Sequence, residues 1–113
     1  MTSLFLRILF DGAMLGPGKA ELLERIAATG SISAAGRQMD MSYKRAWSLV
    51  EEMNAAFAEP LVASVRGGPG GGGAQLTEAG ERVLRLYREA VQGAEAAAAG
   101  PVAALEAMLR DRG

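Results

Sequence analysis

The sequence predicts a mainly α-helical domain of the α+β class, on the strength of three observations. Residues 30–47 have the composition of two short helices joined by a tight turn. Residues 67–73, six glycines and one proline, separate two β-type stretches. An apolar stripe at helical spacing follows Thr77 and continues for several turns. With 113 residues, half of them apolar, the chain is expected to form one domain with a modest core.

The first two elements are predicted to be a strand and an amphipathic helix. Residues 4–10 are apolar except at Arg7, which indicates a strand, and Asp11-Gly12 ends it with a turn signal. From Lys19 to Thr29 apolar residues recur every three or four positions, which predicts a helix with Gly30 at its C-terminal cap.

Two further helices are predicted on either side of a turn at residues 39–41. Ser31 or Ser33 can cap the first of them, and Ser42 is the candidate N-cap of the second. The second runs to about residue 57. Its apolar stripe consists of Ala46, Leu49, Val50, Met53 and Phe57.

A glycine-rich hairpin is predicted after Pro60, which ends the preceding helix. Its strands lie near residues 61–66 and 74–76, and its tip is nearly free of side chains. Such a hairpin behind two helices and a turn is a wing, so the fold predicted is a winged helix-turn-helix with a small antiparallel sheet. The N-terminal strand is expected to join the wing strands.

The last predicted element is a long helix capped by Thr77, with Glu78 and Glu81 at its positive end. Gly100-Pro101 is expected to break it after about 35 Å, leaving a short helical tail over residues 102–112. Because so small a domain cannot cover the whole length of such a helix, we expect the part near Thr77 to contact the core. The part of the helix beyond it is expected to form a homodimer interface. The predicted interface residues are Val83, Leu84, Leu86, Tyr87, Val91 and Ala94.

The chain therefore divides into a DNA-binding winged helix-turn-helix over residues 1–76, with the wing at 61–76, and a dimerisation helix with its tail over 77–113. A helix-turn-helix places its second helix in the major groove of duplex DNA. Lys44 and Arg45 suit phosphates or guanine edges, Tyr43 suits a phosphate or a thymine methyl, and Arg66 suits the backbone beside the wing. Trp47 either packs against neighbouring helices or contacts the DNA backbone. The predicted DNA-binding residues are Ser31, Ser33, Ser42, Tyr43, Lys44, Arg45, Trp47, Ser48, Arg66, Gly68, Gly70 and Gly71.

Composition argues against catalysis. The chain has no cysteine and no histidine, which excludes disulfides, thiolate or imidazole metal sites and the usual nucleophile pairs. We expect no enzymatic activity, cofactor or metal. Apolar runs fall short of the roughly 18 residues a membrane span needs, so a cytoplasmic protein with no membrane partner is expected.

The net charge of −1 is low for a DNA-binding domain. Two alternatives stay open: a protein-interaction module on a winged-helix dimer scaffold, and a regulator whose effector acts through a separate partner protein.

Several ordered motifs carry a family resemblance. They are Gly-Ser-Ile-Ser at 30–33, Ser-Tyr-Lys-x-Ala-Trp at 42–47, Glu-Met-Asn at 52–54 and Gly-Gly-x-Gly-Gly-Gly-Gly-Ala-x-Leu-Thr at 67–77. Over roughly residues 4–91 the chain resembles the N-terminal domain of molybdate-responsive regulators of the ModE type. More broadly it is similar to the winged-helix domain of LysR-type regulators, whose wing also leads into Leu-Thr-x-x-Gly.

The resemblance implies a dimer on a palindromic operator, with most of the interface on the long helix. Full-length members continue into molybdate-binding domains that have no counterpart in these 113 residues. It therefore implies a regulator without its own molybdate-sensing domain. The chain is then either a stand-alone member or a fragment of a longer protein, and the Gly-Pro break followed by another helical stretch favours a naturally short chain.

Overall fold

The computed structural model describes residues 2–65 and 73–110, and it has the predicted fold. Four helices and two strand pairs form a winged helix-turn-helix that ends in a long helix, which confirms the mainly helical α+β class. The elements are β1 (Ile8–Phe10), β2 (Ala13–Leu15), α1 (Pro17–Thr29), α2 (Ile32–Gln38), α3 (Tyr43–Ala56), β3 (Val62–Val65), β4 (Gly73–Leu76) and α4 (Glu78–Ala107).

Helix starts follow from the capping residues in the sequence. Ser31, Ser42 and Thr77 each accept a hydrogen bond from the backbone N–H three residues later, at 3.0, 3.1 and 3.0 Å. Each hydroxyl thereby satisfies an N–H that the helix itself leaves without a partner. Gly30 closes α1 in the left-handed conformation, with φ of 72°. Of the two cap candidates for α2, Ser31 is therefore the one used.

The N-terminal strand does not join the wing, so that expectation is wrong. β1 pairs with β2, antiparallel, in the register Ile8 to Leu15 and Phe10 to Ala13. The wing strands β3 and β4 form a separate antiparallel pair. The reason is the two-residue Asp11-Gly12 loop, in which Gly12 has φ of 84°. A turn of this kind folds the next three residues straight back onto β1.

Helix α4 is continuous through Pro101, so the predicted break and separate tail are also wrong. Proline removes one helical hydrogen bond, but the flanking residues are mainly alanine, the best helix former. The N-terminal segment adds a distal contact, because Thr2 Oγ1 donates to a carboxylate oxygen of Glu106. With 30 residues, α4 is about 45 Å long. The radius of gyration, 17.1 Å, exceeds the roughly 13 Å of a compact domain of this size, because α4 projects from the rest.

The core lies between α1, α3, the base of the wing and the first turns of α4. Its fully buried large side chains are Leu22, Leu23, Ile26, Met53 and Leu61. A Cβ at Gly80 would overlap the carbonyl oxygen of Leu61. The first turn of α4 can therefore pack directly on the start of β3, and the wing is held between α3 and α4.

Two residues predicted for the dimer interface lie in this core. Leu84 and Tyr87 are only 6% and 7% exposed, because their face of α4 packs on the chain's own α1 side. The Tyr87 hydroxyl also donates to the carbonyl oxygen of Leu6 at 2.5 Å. Val83 and Val91 are half-buried against the same core, whereas Leu86 is 49% exposed. The predicted apolar stripe is thus mainly intramolecular up to about residue 91.

Candidate nucleic-acid interface

The turn between α2 and α3 is fixed by backbone hydrogen bonds. The N–H groups of Met39 and Met41 both donate to the carbonyl oxygen of Gly36, at 3.0 and 2.9 Å. Asp40 adopts the left-handed conformation, with φ of 56°. A Cβ at Gly36 would lie 3.0 Å from the Cβ of Ala46, so a glycine lets α2 and α3 approach this closely. The second helix of the motif is therefore held at a defined angle to the first.

Helix α3 buries one face and exposes the other. Ala46, Leu49, Val50 and Met53 lie in the core. On the open side, Tyr43 is 57% exposed and Trp47 is 47% exposed, so Trp47 is not a core residue although part of its ring is covered. Two large aromatic side chains exposed one turn apart on a helix are typical of a binding surface.

Lys44 and Arg45 are exposed beside these aromatic residues, in the first turn of α3. Within the residues that the structure describes, neither forms an ion pair. The start of a helix carries a partial positive charge, which makes it an unfavourable place for two cations unless an anion approaches. This end of α3 is therefore suited electrostatically to a phosphate or to the acceptor edge of a guanine.

The predicted serines lie around the starts of α2 and α3. The hydroxyls of Ser31 and Ser42 are used as caps, and Ser33 accepts a hydrogen bond from Arg37 at 2.9 Å. Ser48 is half-buried on α3, one turn beyond Lys44. Ser31, Ser33 and Ser42 thus mark two positive helix ends, where backbone N–H groups can meet an anion.

Asn54 is the residue of this region whose role the sequence did not reveal. Its side-chain Oδ1 accepts from the N–H groups of Leu61 and Val62, at 2.8 and 3.1 Å. Its Nδ2 donates to the carbonyl oxygen of Val62 at 3.1 Å. The available signal was an asparagine, a poor helix former, inside the predicted third helix. Asn54 fixes the base of the wing to α3.

The wing is also tied to the end of α1. The N–H of Ala74 donates to the carbonyl oxygen of Gly30 at 2.9 Å, and a Cβ at Gly73 would overlap that oxygen. The wing-tip residues predicted to contact DNA, Arg66, Gly68, Gly70 and Gly71, lie outside the described residues. Their role stays a prediction.

Residues 2–65 and 73–110 contain neither a cluster of metal ligands nor a membrane-spanning helix. No group of three or more acidic side chains gathers there in a way that could hold a metal ion. No helix there has both the length and the apolar character to cross a membrane. The exposed side chains in the first turns of α3 are basic, aromatic and hydroxylic.

A family model described as "Bacterial regulatory helix-turn-helix protein, lysR family" matches residues 18–81, from the start of α1 through the wing into α4. The chain belongs to this family. Its helix-turn-helix is thus that of a family of DNA-binding bacterial regulators, and the resemblance seen in the motifs is confirmed.

Curated relatives match about two thirds of this lysR-family chain. Molybdenum-pterin-binding protein MopB of Rhodobacter capsulatus is 49% identical over 76 residues, which cover 67% of this chain and 28% of the relative. Molybdenum transport protein ModE of Azotobacter vinelandii is 44% identical over 77 residues, 68% of this chain and 28% of the relative. The DNA-binding transcriptional dual regulator ModE of Escherichia coli K12 is 45% identical over 71 residues, 63% and 27% of the two chains. The chain matches a little over a quarter of the length of each.

Proposed function

We propose that this lysR-family chain is a cytoplasmic transcriptional regulator that binds a palindromic DNA operator as a homodimer. The observation that carries the proposal is the exposed start of α3, where Tyr43, Lys44, Arg45 and Trp47 stand on a helix fixed by its buried face and by the turn after α2. A rigid helix with basic and aromatic residues at its N-terminal end fits the major groove.

In this proposal α3 reads each half-site. Lys44 and Arg45 contact phosphate or guanine, Tyr43 contacts phosphate or a thymine methyl, and Trp47 and Ser48 extend the surface by one turn. The starts of α2 and α3, at Ser31, Ser33 and Ser42, bind backbone phosphates through their N–H groups. The wing, through Arg66 and the backbone of Gly68, Gly70 and Gly71, contacts the flanking DNA.

The support for a homodimer is the projecting part of α4. Leu86 and Leu105 are 49% and 64% exposed on a helix that extends well beyond the core, and Leu109, just past its end, is 66% exposed. A second copy would cover such side chains. Val83, Val91 and Ala94 are half-buried and can contribute at the margin, whereas Leu84 and Tyr87 are already covered. Sedimentation at micromolar concentration is expected to give twice the mass of one chain, and a monomer would contradict this part of the proposal.

The relatives support DNA binding and regulation, since the printed name of the Escherichia coli protein is DNA-binding transcriptional dual regulator ModE. The matched part is the helix-turn-helix portion of longer proteins. We therefore propose operator binding for this chain and none of the functions that the names of the other relatives describe.

The experiment is a selection of bound sequences from random duplex DNA, with purified protein near physiological salt and without added oxyanion. The expected result is an enriched palindrome whose half-sites lie about one helical turn apart, roughly 34 Å. A folded, dimeric protein that enriches no sequence would contradict the proposal.

A second candidate function is a protein-interaction module on a winged-helix scaffold. It is favoured by the exposed carboxylates Glu51 and Glu52 on the later turns of α3 and by the net charge of −1.

A related version, a regulator whose effector acts through a separate partner protein, is favoured by Leu105, Met108 and Leu109 at the exposed end of α4. The salt dependence of DNA affinity discriminates, because every phosphate contact releases counterions. A steep loss of affinity with salt supports a DNA-binding regulator of either kind, and no measurable affinity supports the interaction module.

A further inference from the structure

A small recess lies beside the start of α3, on the side of the N-terminal hairpin. Its volume is about 230 Å³, and it is bounded by the hairpin, the first turn of α1 and the turn before α3. Three basic residues from three different elements line it: Arg7 just before β1, Lys19 in α1 and Arg45 in α3. We call it the Arg7–Arg45 recess.

The three cations are not equivalent. The Lys19 side chain is only 10% exposed, and its Nζ donates to the carbonyl oxygen of Met14 at 3.1 Å and pairs with Glu52 at 3.5 Å. Arg7 and Arg45 are exposed. Neither forms an ion pair in the part of the chain that the structure describes. The first turn of α1 contributes no acidic side chain to the recess.

Two exposed arginines that line one recess concentrate positive charge on a small surface, which favours an anion there. Guanidinium is also the side-chain group that matches phosphate best, because its N–H groups form a planar fork. Glu52 pairs with Lys19, and the described residues provide no acidic partner for Arg7 or Arg45. The recess therefore suits an external, negatively charged ligand.

We propose that Arg7 and Arg45 together bind one phosphate of the DNA backbone, so that the β1–β2 hairpin is part of the DNA-contacting surface. The inference rests on the proposed function, because Arg45 lies in the first turn of the helix that enters the major groove. With α3 in the groove, a recess that borders its first turn faces the adjacent backbone. Arg7 lies before the region that the family model matches, residues 18–81, so the contact is an addition to the helix-turn-helix itself.

The test compares the DNA affinity of Arg7→Gln with that of the unsubstituted chain. Fluorescence anisotropy measures both affinities on the selected operator and on an unrelated duplex, over a range of salt concentrations. Glutamine keeps the aliphatic stem, which passes Gly16, and removes only the charge. Arg7→Lys restores a cation, and Arg110→Gln makes the same change of net charge at the exposed far end of α4. Thermal unfolding of each variant confirms that it is folded.

The expected result for Arg7→Gln is a loss of affinity of up to about eightfold at 0.1 M salt, equal on the two duplexes. The slope of log affinity against log salt should become shallower by up to about 0.9, the value for one phosphate. Arg7→Lys should recover most of the slope, and Arg110→Gln should leave it unchanged.

Three outcomes are distinguishable from these. If Arg7→Gln behaves like Arg110→Gln while the full chain binds its operator, the inference is overturned and the proposed function stands. A full chain that binds no duplex overturns the proposed function. In the third outcome, millimolar inorganic phosphate at constant ionic strength protects the unsubstituted chain from thermal unfolding but does not protect Arg7→Gln. The substitution in this case leaves the DNA affinity unchanged. The recess would then bind free phosphate, and the DNA contact would be overturned.

Discussion

The side chain of Asn54 pairs with the backbone of Val62 as a neighbouring strand would. Its Oδ1 accepts from the Val62 N–H and its Nδ2 donates to the Val62 carbonyl oxygen, both at 3.1 Å. The same Oδ1 accepts from the N–H of Leu61, a fully buried residue, at 2.8 Å. One amide on α3 therefore fixes the base of the wing to this helix.

Replacing Asn54 by alanine is expected to lower the free energy of unfolding by about 2–3 kcal/mol, because buried backbone groups lose their partners. Urea unfolding measures the change. Gln92→Ala removes an exposed amide from α4 and should change stability by less than about 0.5 kcal/mol. Asn54→Asp keeps the acceptor oxygen but replaces the Nδ2 donor that faces the Val62 carbonyl with a second carboxylate oxygen. This variant should therefore also be less stable than the unsubstituted chain. Equal stability of Asn54→Ala and Gln92→Ala would show that the wing is held by other contacts.

Gly80 and Gly93 lie in the same helix, and alanine is expected to have opposite effects at the two. A Cβ at Gly80 would overlap the carbonyl oxygen of Leu61, whereas a Cβ at Gly93 meets nothing within 4 Å. Gly80→Ala should therefore cost about 1–3 kcal/mol or more, since backbone must move. Gly93→Ala should stabilise the chain by about 0.5–1 kcal/mol through helix propensity. Thermal unfolding of the pair measures both signs, and stabilisation of both variants would show that α4 does not start against β3.

Tyr87 makes stability depend on alkaline pH. Burial raises the pKa of the Tyr87 hydroxyl above the 10.0 of an exposed tyrosine. The unfolded chain therefore releases this proton at lower pH than the folded chain does. The stabilising contribution is complete below pH 10 and declines as the pH rises from 10 through the higher folded-state pKa. Tyr87→Phe removes this decline, and at neutral pH it costs about 1 kcal/mol because the bond to Leu6 is lost. Urea unfolding between pH 7 and 11 compares the two proteins; parallel pH profiles would contradict the assignment.

What the sequence predicts well in this chain is local chemistry. Serine or threonine followed by an apolar-periodic run marks the starts of α2, α3 and α4, because the cap interacts only with the next three residues. The basic and aromatic group at 43–47 could be placed at a helix start for the same reason. The exposed position of these side chains follows from the apolar stripe on the opposite face of α3.

The features that the sequence predicts poorly depend on residues far away in the chain or on competing local effects. The Asp11-Gly12 pair indicates the end of a strand, but such a pair between apolar residues is also a strong hairpin signal. Pro101 predicts the end of a helix, whereas alanines on both sides and a contact from Thr2 outweigh one missing hydrogen bond. Leu84 and Tyr87 carry the same periodicity whether a partner chain or α1 covers them, so the pattern alone does not distinguish an interface from the core.

Lys44 is expected to oppose folding slightly while favouring operator binding. It is exposed in the first turn of α3, where the helix dipole disfavours a cation, and forms no ion pair within residues 2–65 and 73–110. Lys44→Ala should therefore raise the free energy of unfolding by about 0.3–1 kcal/mol. It should also weaken operator binding by about 1–3 kcal/mol, more on the operator than on unrelated DNA if the contact is to a base. Arg45→Ala should weaken binding by a similar amount, and Arg110→Ala should change neither property. A gain of stability together with a loss of operator affinity in Lys44→Ala would identify Lys44 as a DNA-contacting residue. Unchanged operator affinity in both Lys44→Ala and Arg45→Ala would mean that α3 does not read DNA.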